Sequence, residues 1–435
     1  MTNQKHLKGR VRERMAKTGE RYAAARANVV AGRQASTSGP SAAPSHLPGI
    51  HPETAAMRIV AGAAGVRDPK TGGPPSEELV FLVAGGIGIA VFAFRYPEFS
   101  SLFLSGRHRL DDSRGFVVGG LERLGLSVEV AETGGAAAAG RHLARALEAG
   151  PAIAWCDLVE LGTRGVPAVM SGAGYHAVAV LAFDEAAGTV TIGDLRRAPE
   201  VVDADRFARA RARIARDRNR LAWVTGRSAV DWDTAIGEGL AATISGFRNP
   251  RSGSFGIASL ERLADRMTAR SGRDAWPAVF PRGGRLWYAL RSIYEFVETY
   301  RSGGGLMRPM FARGLTEAAG LTGNRRLEAS AARYVELGAR WTDLASAALP
   351  AEVALLDATR QALDSLADRH AAGAGPDELA AIHRRIDGLA DAAAADFPLD
   401  EAATNELLAG LSGRLREIAA LETAALDELE RLVGA

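Results

Sequence analysis

The stretch that most constrains the fold is Gly174-Tyr175-His176-Ala177-Val178-Ala179-Val180-Leu181-Ala182-Phe183, followed by Thr189-Val190-Thr191-Ile192-Gly193-Asp194. Two apolar, β-branched runs flank Asp184-Glu185-Ala186-Ala187-Gly188, a turn-forming cluster, which predicts a β-hairpin. Folded at that turn, the hairpin brings His176 opposite Asp194 or one pair diagonal to it, on one face, with Cβ atoms about 5–8 Å apart. A His oriented by an Asp is the base half of a nucleophilic triad. The same two residues also suit a buried His satisfied by a neighbouring acid.

The 435 residues are too many for one small core and predict two or three domains. A hydrophobic fraction of 47% with 24% charged residues is that of a globular, soluble chain. The single cysteine, Cys156, excludes a disulfide framework and a cysteine-based zinc site, and no metal or cofactor is expected. No apolar stretch follows the basic N-terminus, so no secretory signal and a cytoplasmic location are expected. The longest uncharged apolar run, Leu79 to Phe94, is short for a bilayer span and carries Gly85, Gly86 and Gly88. It reads as a buried core segment, with no membrane partner. These glycines lack the spacing of a dinucleotide fingerprint.

The formal net charge of +2 conceals an asymmetry. Residues 1–35 hold nine Lys or Arg against Glu13 and Glu20. Residues 1–33 read as a basic helical extension, suited either to an acidic partner or nucleic acid, or to docking on protein. Residues 34–48, rich in Ser, Ala and Pro, read as a flexible linker. Pro52 and Glu53 suit the first turn of a helix beginning after His51. The remaining patterns up to Thr225 predict helices over 111–126, 136–149 and 203–216, with strands over 127–130, 151–158 and 219–225. Residues 49–227 therefore form an α+β domain with a largely antiparallel sheet. From 231 to 435 only helical periodicity is evident, over 260–269, 286–300, 327–348, 351–371, 378–394 and 401–432, giving an all-α domain.

A helix N-terminus, then a His opening a strand, then an Asp on the next strand is the order of the papain-like fold. There the nucleophilic Cys sits in the first turn of the helix, where the helix dipole and the His populate its thiolate. The combination of His51-Pro52-Glu53-Thr54, Gly85-Gly86-Ile87-Gly88, Gly174-Tyr175-His176 and Gly193-Asp194 resembles the butirosin biosynthesis protein H family. Tyr294-Glu295-Phe296-Val297-Glu298, Gly303-Gly304-Gly305-Leu306-Met307-Arg308 and Arg340-Trp341 resemble the helical domain usually attached to it. The resemblance spans roughly residues 49–435. It implies a papain-like acyltransferase of specialised metabolism, moving an acyl group from a carrier-protein thioester to an amine.

The chain departs from that family where its Cys would follow the His: Pro52 stands there. Both the thiol and a backbone N–H donor are lost. Thr54, Cys156, or an amine substrate attacking a bound thioester directly with His176 as base are the alternatives for chemistry. Two functions follow: an acyl-transfer enzyme using His176 and Asp194, or a papain-like pseudoenzyme binding a small ligand or partner in the old cleft. Pro52, Glu53, Thr54 and Gly86 are candidate cleft residues. Arg308 is a candidate for a substrate carboxylate or phosphate; the other reading is a residue bridging helices beside a tight glycine turn.

Overall fold

The computed structural model describes residues 48–96, 99–172 and 174–434. The basic extension expected over 1–33 and, save Pro48, the linker expected to 48 lie outside them. The described chain is mixed α/β with a helical C-terminal region. Helix α1 (Pro52–Ala63) and helix α2 (Glu77–Val83) lead into strands β1 (Ile87–Arg95) and β2 (Ser100–Arg107), which pair antiparallel as a two-stranded sheet. The apolar run from Leu79 to Phe94 is thus not one segment. Gly85 and Gly86, at φ 110° and 54°, turn the chain from α2 into β1.

Helix α3 (Ser113–Arg123), β3 (Leu126–Ala131), α4 (Ala136–Ala149), β4 (Ala152–Asp157) and the single turn α5 (Leu158–Leu161) follow. Then come β5 (Tyr175–Asp184), β6 (Thr189–Gly193), β7 (Glu200–Asp203), α6 (Ala204–Arg213) and β8 (Leu221–Arg227). Strands β3 to β8 form one sheet in the order β3-β8-β4-β5-β6-β7, every pair antiparallel. Strand β5 lies inside the sheet with both faces covered. Ala177 and Ala179 join Met57 and Val60 of α1 in one apolar core; Val178 and Val180 join Ile192 and Phe207 in another. Alternation of small and larger apolar residues in β5 lets a helix approach the alanine side closely.

The helical region comprises α7 (Trp232–Arg248), α8 (Ala258–Thr268), α9 (Trp276–Val279), α10 (Gly284–Tyr294), α11 (Arg308–Thr322), α12 (Arg326–Ala348), α13 (Ala354–Ala371), α14 (Pro376–Ala395) and α15 (Glu401–Val433). Among the described residues no strand follows Arg227, although Phe255 makes one antiparallel bridge to Ala90. The apolar core of α1 and α2 runs without a break into these helices, and the described residues belong to one compact unit. None of the helices is long and apolar enough to cross a membrane.

Between α10 and α11 the chain makes a π-helical turn, Glu295–Thr299, and then a run of left-handed residues. Gly305 needs its missing side chain: a Cβ there would lie 2.7 Å from the Gly338 carbonyl oxygen in α12. Arg308, which follows, is fully buried. Its Nε pairs with Glu422 Oε1 at 2.7 Å, Nη1 donates to the Leu306 carbonyl at 2.7 Å, and Nη2 donates to the Gly88 carbonyl at 3.1 Å. All three guanidinium nitrogens are engaged, so Arg308 is a bridge between α11, α15 and β1 rather than a substrate-binding residue. Trp341 Nε1 donates to the same Glu422 oxygen at 3.0 Å.

Glu422→Ala strands the Arg308 charge in the core and is expected to lower stability by about 3–5 kcal/mol in denaturant titration. An apolar pair, Arg308→Met with Glu422→Leu, recovers only part of that loss, because Trp341 Nε1 and the Leu306 and Gly88 carbonyls lose their partners.

Candidate functional site

The site begins at the entry to α1. His51 is the N-cap residue in extended backbone, but its side chain does not cap. Glu77, the first residue of α2, does the work instead. Its carboxylate accepts from the backbone N–H groups of Ile50 and His51 and from the Thr54 hydroxyl, each at 2.8 Å. A carboxylate placed on exposed N-terminal amides is favoured by both hydrogen bonding and the helix dipole. Thr54 is fully buried in this clamp, so it secures the helix start and offers no nucleophile. Glu53 turns the other way. It pairs with His51 Nε2 at 3.2 Å and Arg107 at 3.5 Å, and accepts from Ser113 Oγ at 3.0 Å. Burial pushes the Glu53 carboxyl up, but Arg107, His51 and Arg301 together take it down to about 2.

The hairpin meets this helix start directly. Gly49 N–H donates to the Leu195 carbonyl at 3.1 Å, tying the entry of α1 to the residue after Asp194. Strand β5 pairs with β6 as Ala179↔Gly193, with a bulge between Val180 and Ala182. Continuing that register makes His176 the diagonal neighbour of Asp194 on the same face. His176 Nε2 lies 2.9 Å from Asp194 Oδ1, and Arg164 Nη2 lies 2.6 Å from Oδ2. Both His176 and Asp194 are buried. Burial alone would raise the Asp194 carboxyl; the Arg164 guanidinium and the His176 ring hold it well below the usual carboxylate range. Burial pushes the His176 imidazole down to about 4, against the opposing pull of Asp194.

Asp194 is therefore ionised and His176 neutral near pH 7. The carboxylate can only accept, so the ring proton sits on Nε2 and Nδ1 presents a lone pair. Nδ1 is buried and has no hydrogen-bond partner. His51 lies within electrostatic range of His176 and is itself pushed down to about 3 by burial.

Cys156 pairs directly with His176 across β4 and β5 but is fully buried. Burial, then Asp194, drives its thiol far above the ordinary range. It stays protonated and behaves as a small core residue. Gly86 is a packing glycine rather than a cleft residue: a Cβ there would lie 2.5 Å from Phe311 Cε2. The expected cleft is closed, since His51, Pro52, Thr54, His176 and Asp194 are all buried. Arg301 reaches this point from the helical region, its Nη1 donating to the Tyr175 carbonyl at 2.7 Å.

Sequence reasoning missed Glu77, Arg164 and Arg301. Glu77 carried the signal of an acid opening a helix; the other two lie on irregular loops, where spacing carries no information. Among the described residues no three His, Cys, Asp or Glu side chains converge as a metal site.

Residues 205–372 match a family described as a domain of unknown function, DUF4872. The matched segment runs from α6 through β8 to the end of α13, and so contains Arg301 and Arg308 but neither His176 nor Asp194. No curated protein matches the chain.

The neutral state of His176 couples stability to pH. Its folded value of about 4 lies below the ordinary 6.5, so the unfolded chain binds the extra proton first as pH falls. Stability is full above pH 6.5 and is lost progressively as pH falls towards 4, by up to about 1.4 kcal/mol per pH unit from this group. In urea titrations across that window, His176→Asn shows a shallower fall than the wild type.

Proposed function

We propose that this chain is a papain-like protein of the butirosin protein H type that carries out acyl transfer without a protein thiol. The observation that carries this reading is the His176 ring: one nitrogen held by an ionised Asp194, the other a buried lone pair with no donor. A buried acceptor left unpaired costs free energy unless something else pairs it, and a general base awaiting its substrate is such a case.

In this reading the donor is a thioester on an acyl carrier protein, and the acceptor is an amine. The amine nitrogen attacks the thioester carbonyl, forming the C–N bond. His176 Nδ1 takes the proton from the resulting ammonium centre. The C–S bond breaks, the electron pair leaves with sulfur, and the imidazolium returns the proton to the thiolate. Asp194 stabilises the transient imidazolium and fixes the tautomer, as the acid of a triad does. Pro52 removes the covalent intermediate and one backbone oxyanion donor, whose loss costs about 2.7–4 kcal/mol of barrier stabilisation in related acyl-transfer sites. A slower, direct transfer is the chemistry left.

A second reading, a papain-like pseudoenzyme that holds a small ligand or partner in the old cleft, is favoured by the burial of Pro52 and the closed wall.

The two separate in a thiol-release assay with an acyl N-acetylcysteamine thioester and an amine. Enzymatic transfer predicts release that His176→Ala lowers by roughly 10²–10⁴-fold. Release that never exceeds the uncatalysed rate leaves only the binding protein. Pro52→Cys supplies a complementary check. Proline at the first helical position mainly restricts the unfolded chain, so its loss costs about 0.4–1 kcal/mol. The new thiol is expected to alkylate at pH about 6–7, below the free-thiol value of about 8.5, and His176→Ala in that background is expected to slow it. A thiol that titrates as a free one, indifferent to His176→Ala, contradicts a shared papain-like site.

A further inference from the structure

The C-terminal end of α1 carries more cation than a helix end needs. Arg67, in the loop that follows, donates from Nη1 to the carbonyls of Gly62 and Val66, each at 2.8 Å. Arg227, the last residue of β8, donates from Nη1 to the carbonyls of Ala64 and Gly65 at 3.3 and 2.9 Å. Both guanidinium groups thus sit at the negative end of the helix dipole. Gly65 makes room for the second. It is left-handed at φ 86°, and a Cβ there would collide with Arg227 Nη1.

Capping engages one nitrogen of each arginine. Nε and Nη2, the edge that grips an oxyanion with two parallel bonds, have no hydrogen-bond partner among the described residues, and neither arginine has a carboxylate partner there. Both side chains reach solvent, and both line one surface cavity of about 410 Å³ between the ends of α1 and β8 and the start of α7. That volume lies in the range of small-molecule sites, about 300–1,000 Å³. Val66, Val230 and Trp232, the first residue of α7, complete its wall. Among the described residues no acidic side chain lines it. Asp68 and Asp231, next in sequence to Arg67 and Trp232, are engaged in their own turns. Asp68 accepts from the Lys70 N–H and the Thr71 hydroxyl, and Asp231 from the N–H and hydroxyl of Thr234.

Two cations on one open cavity, with no acid in its wall, call for a counter-charge. A carboxylate offers two oxygens and one charge, enough for a single fork. A phosphate monoester offers three terminal oxygens and up to two charges, and so serves both. We propose that this cavity binds a small phosphate monoester bearing a flat apolar ring, with the phosphate between Arg67 and Arg227 and the ring against Trp232. The site lies at the opposite end of α1 from His51, about 18 Å along a helix of 12 residues. It is independent of the transfer reading.

The test is calorimetric titration of the full chain with phenyl phosphate at pH about 8, where the monoester is dianionic. Inorganic phosphate, methyl phosphate and phenylacetate are the controls. Phenyl phosphate is expected to bind more tightly than each of them. Arg67→Gln and Arg227→Gln are each expected to weaken it roughly tenfold or more, as loss of a charged hydrogen-bonding partner does. Arg227→Lys, which keeps the charge and loses the fork, is expected to weaken it less. Trp232→Leu is expected to bring phenyl phosphate down to the level of methyl phosphate. Arg273→Gln, an equal change of charge at an exposed side chain outside the cavity, is expected to leave the affinity as it is. No binding of phenyl phosphate, controls that bind as well, folded Arg67→Gln and Arg227→Gln proteins of unchanged affinity, or an equal loss in Arg273→Gln would each overturn the proposal. The comparison among ligands uses wild-type protein alone and holds however the variants fold.

Discussion

The site depends on one buried carboxylate. A charge taken out of water must be paired and hydrogen-bonded, or the surrounding structure fails to hold it. Asp194 meets that condition twice over, through His176 on one oxygen and Arg164 on the other. Each partner is then constrained in turn. His176 is fixed in one tautomer with its second nitrogen facing away from the carboxylate. Arg164 pins the loop between α5 and β5 over the hairpin. The next residue, Leu195, accepts from Gly49 and so aligns the start of α1 with the same point. A helix N-terminus and an oriented imidazole are thereby brought together by the needs of one anion.

A second layer of constraint fixes the helix start itself. Glu77 is held 26 residues away from His51 in sequence, yet both its oxygens cap α1. The clamp frees the His51 side chain to interact with Glu53, and Glu53 links α1 to Ser113 on α3 and to Arg107 at the end of β2. The loop bearing Arg301 adds the helical region as a third wall. Its positive-φ residues, Arg301 and then Gly303 through Met307, include non-glycine positions at Arg301, Leu306 and Met307. Such backbone persists only where surrounding contacts over-determine it, here the fully bonded Arg308 that follows.

Much of this was legible in the sequence where local pattern and tertiary demand coincide. The hairpin, the single-face placement of His176 and Asp194, the helix opening at Pro52 and the loss of strands after Arg227 all follow from periodicity and turn chemistry. Pattern reading fell short where side-chain partners are distant in sequence. Strand β2, Ser100–Arg107, carries three serines and a glycine beside its three apolar residues and gives no clear alternation. Helix α11 begins directly after three glycines and two left-handed residues, which masks its start. Arg308 and Gly86 drew attention as residue types suited to ligands, but both belong to the packing between the sheet-bearing and helical regions.

The proposed chemistry depends on the state of one ring. Nitrogen-15 NMR of the full chain labelled at histidine reads the tautomer and the titration of His176 directly, with assignment by His176→Asn. The arrangement predicts a neutral ring near pH 7, protonated on Nε2, that takes up its second proton only as the pH approaches 4. A ring protonated on Nδ1, or one that titrates near its ordinary value of 6.5, would contradict it.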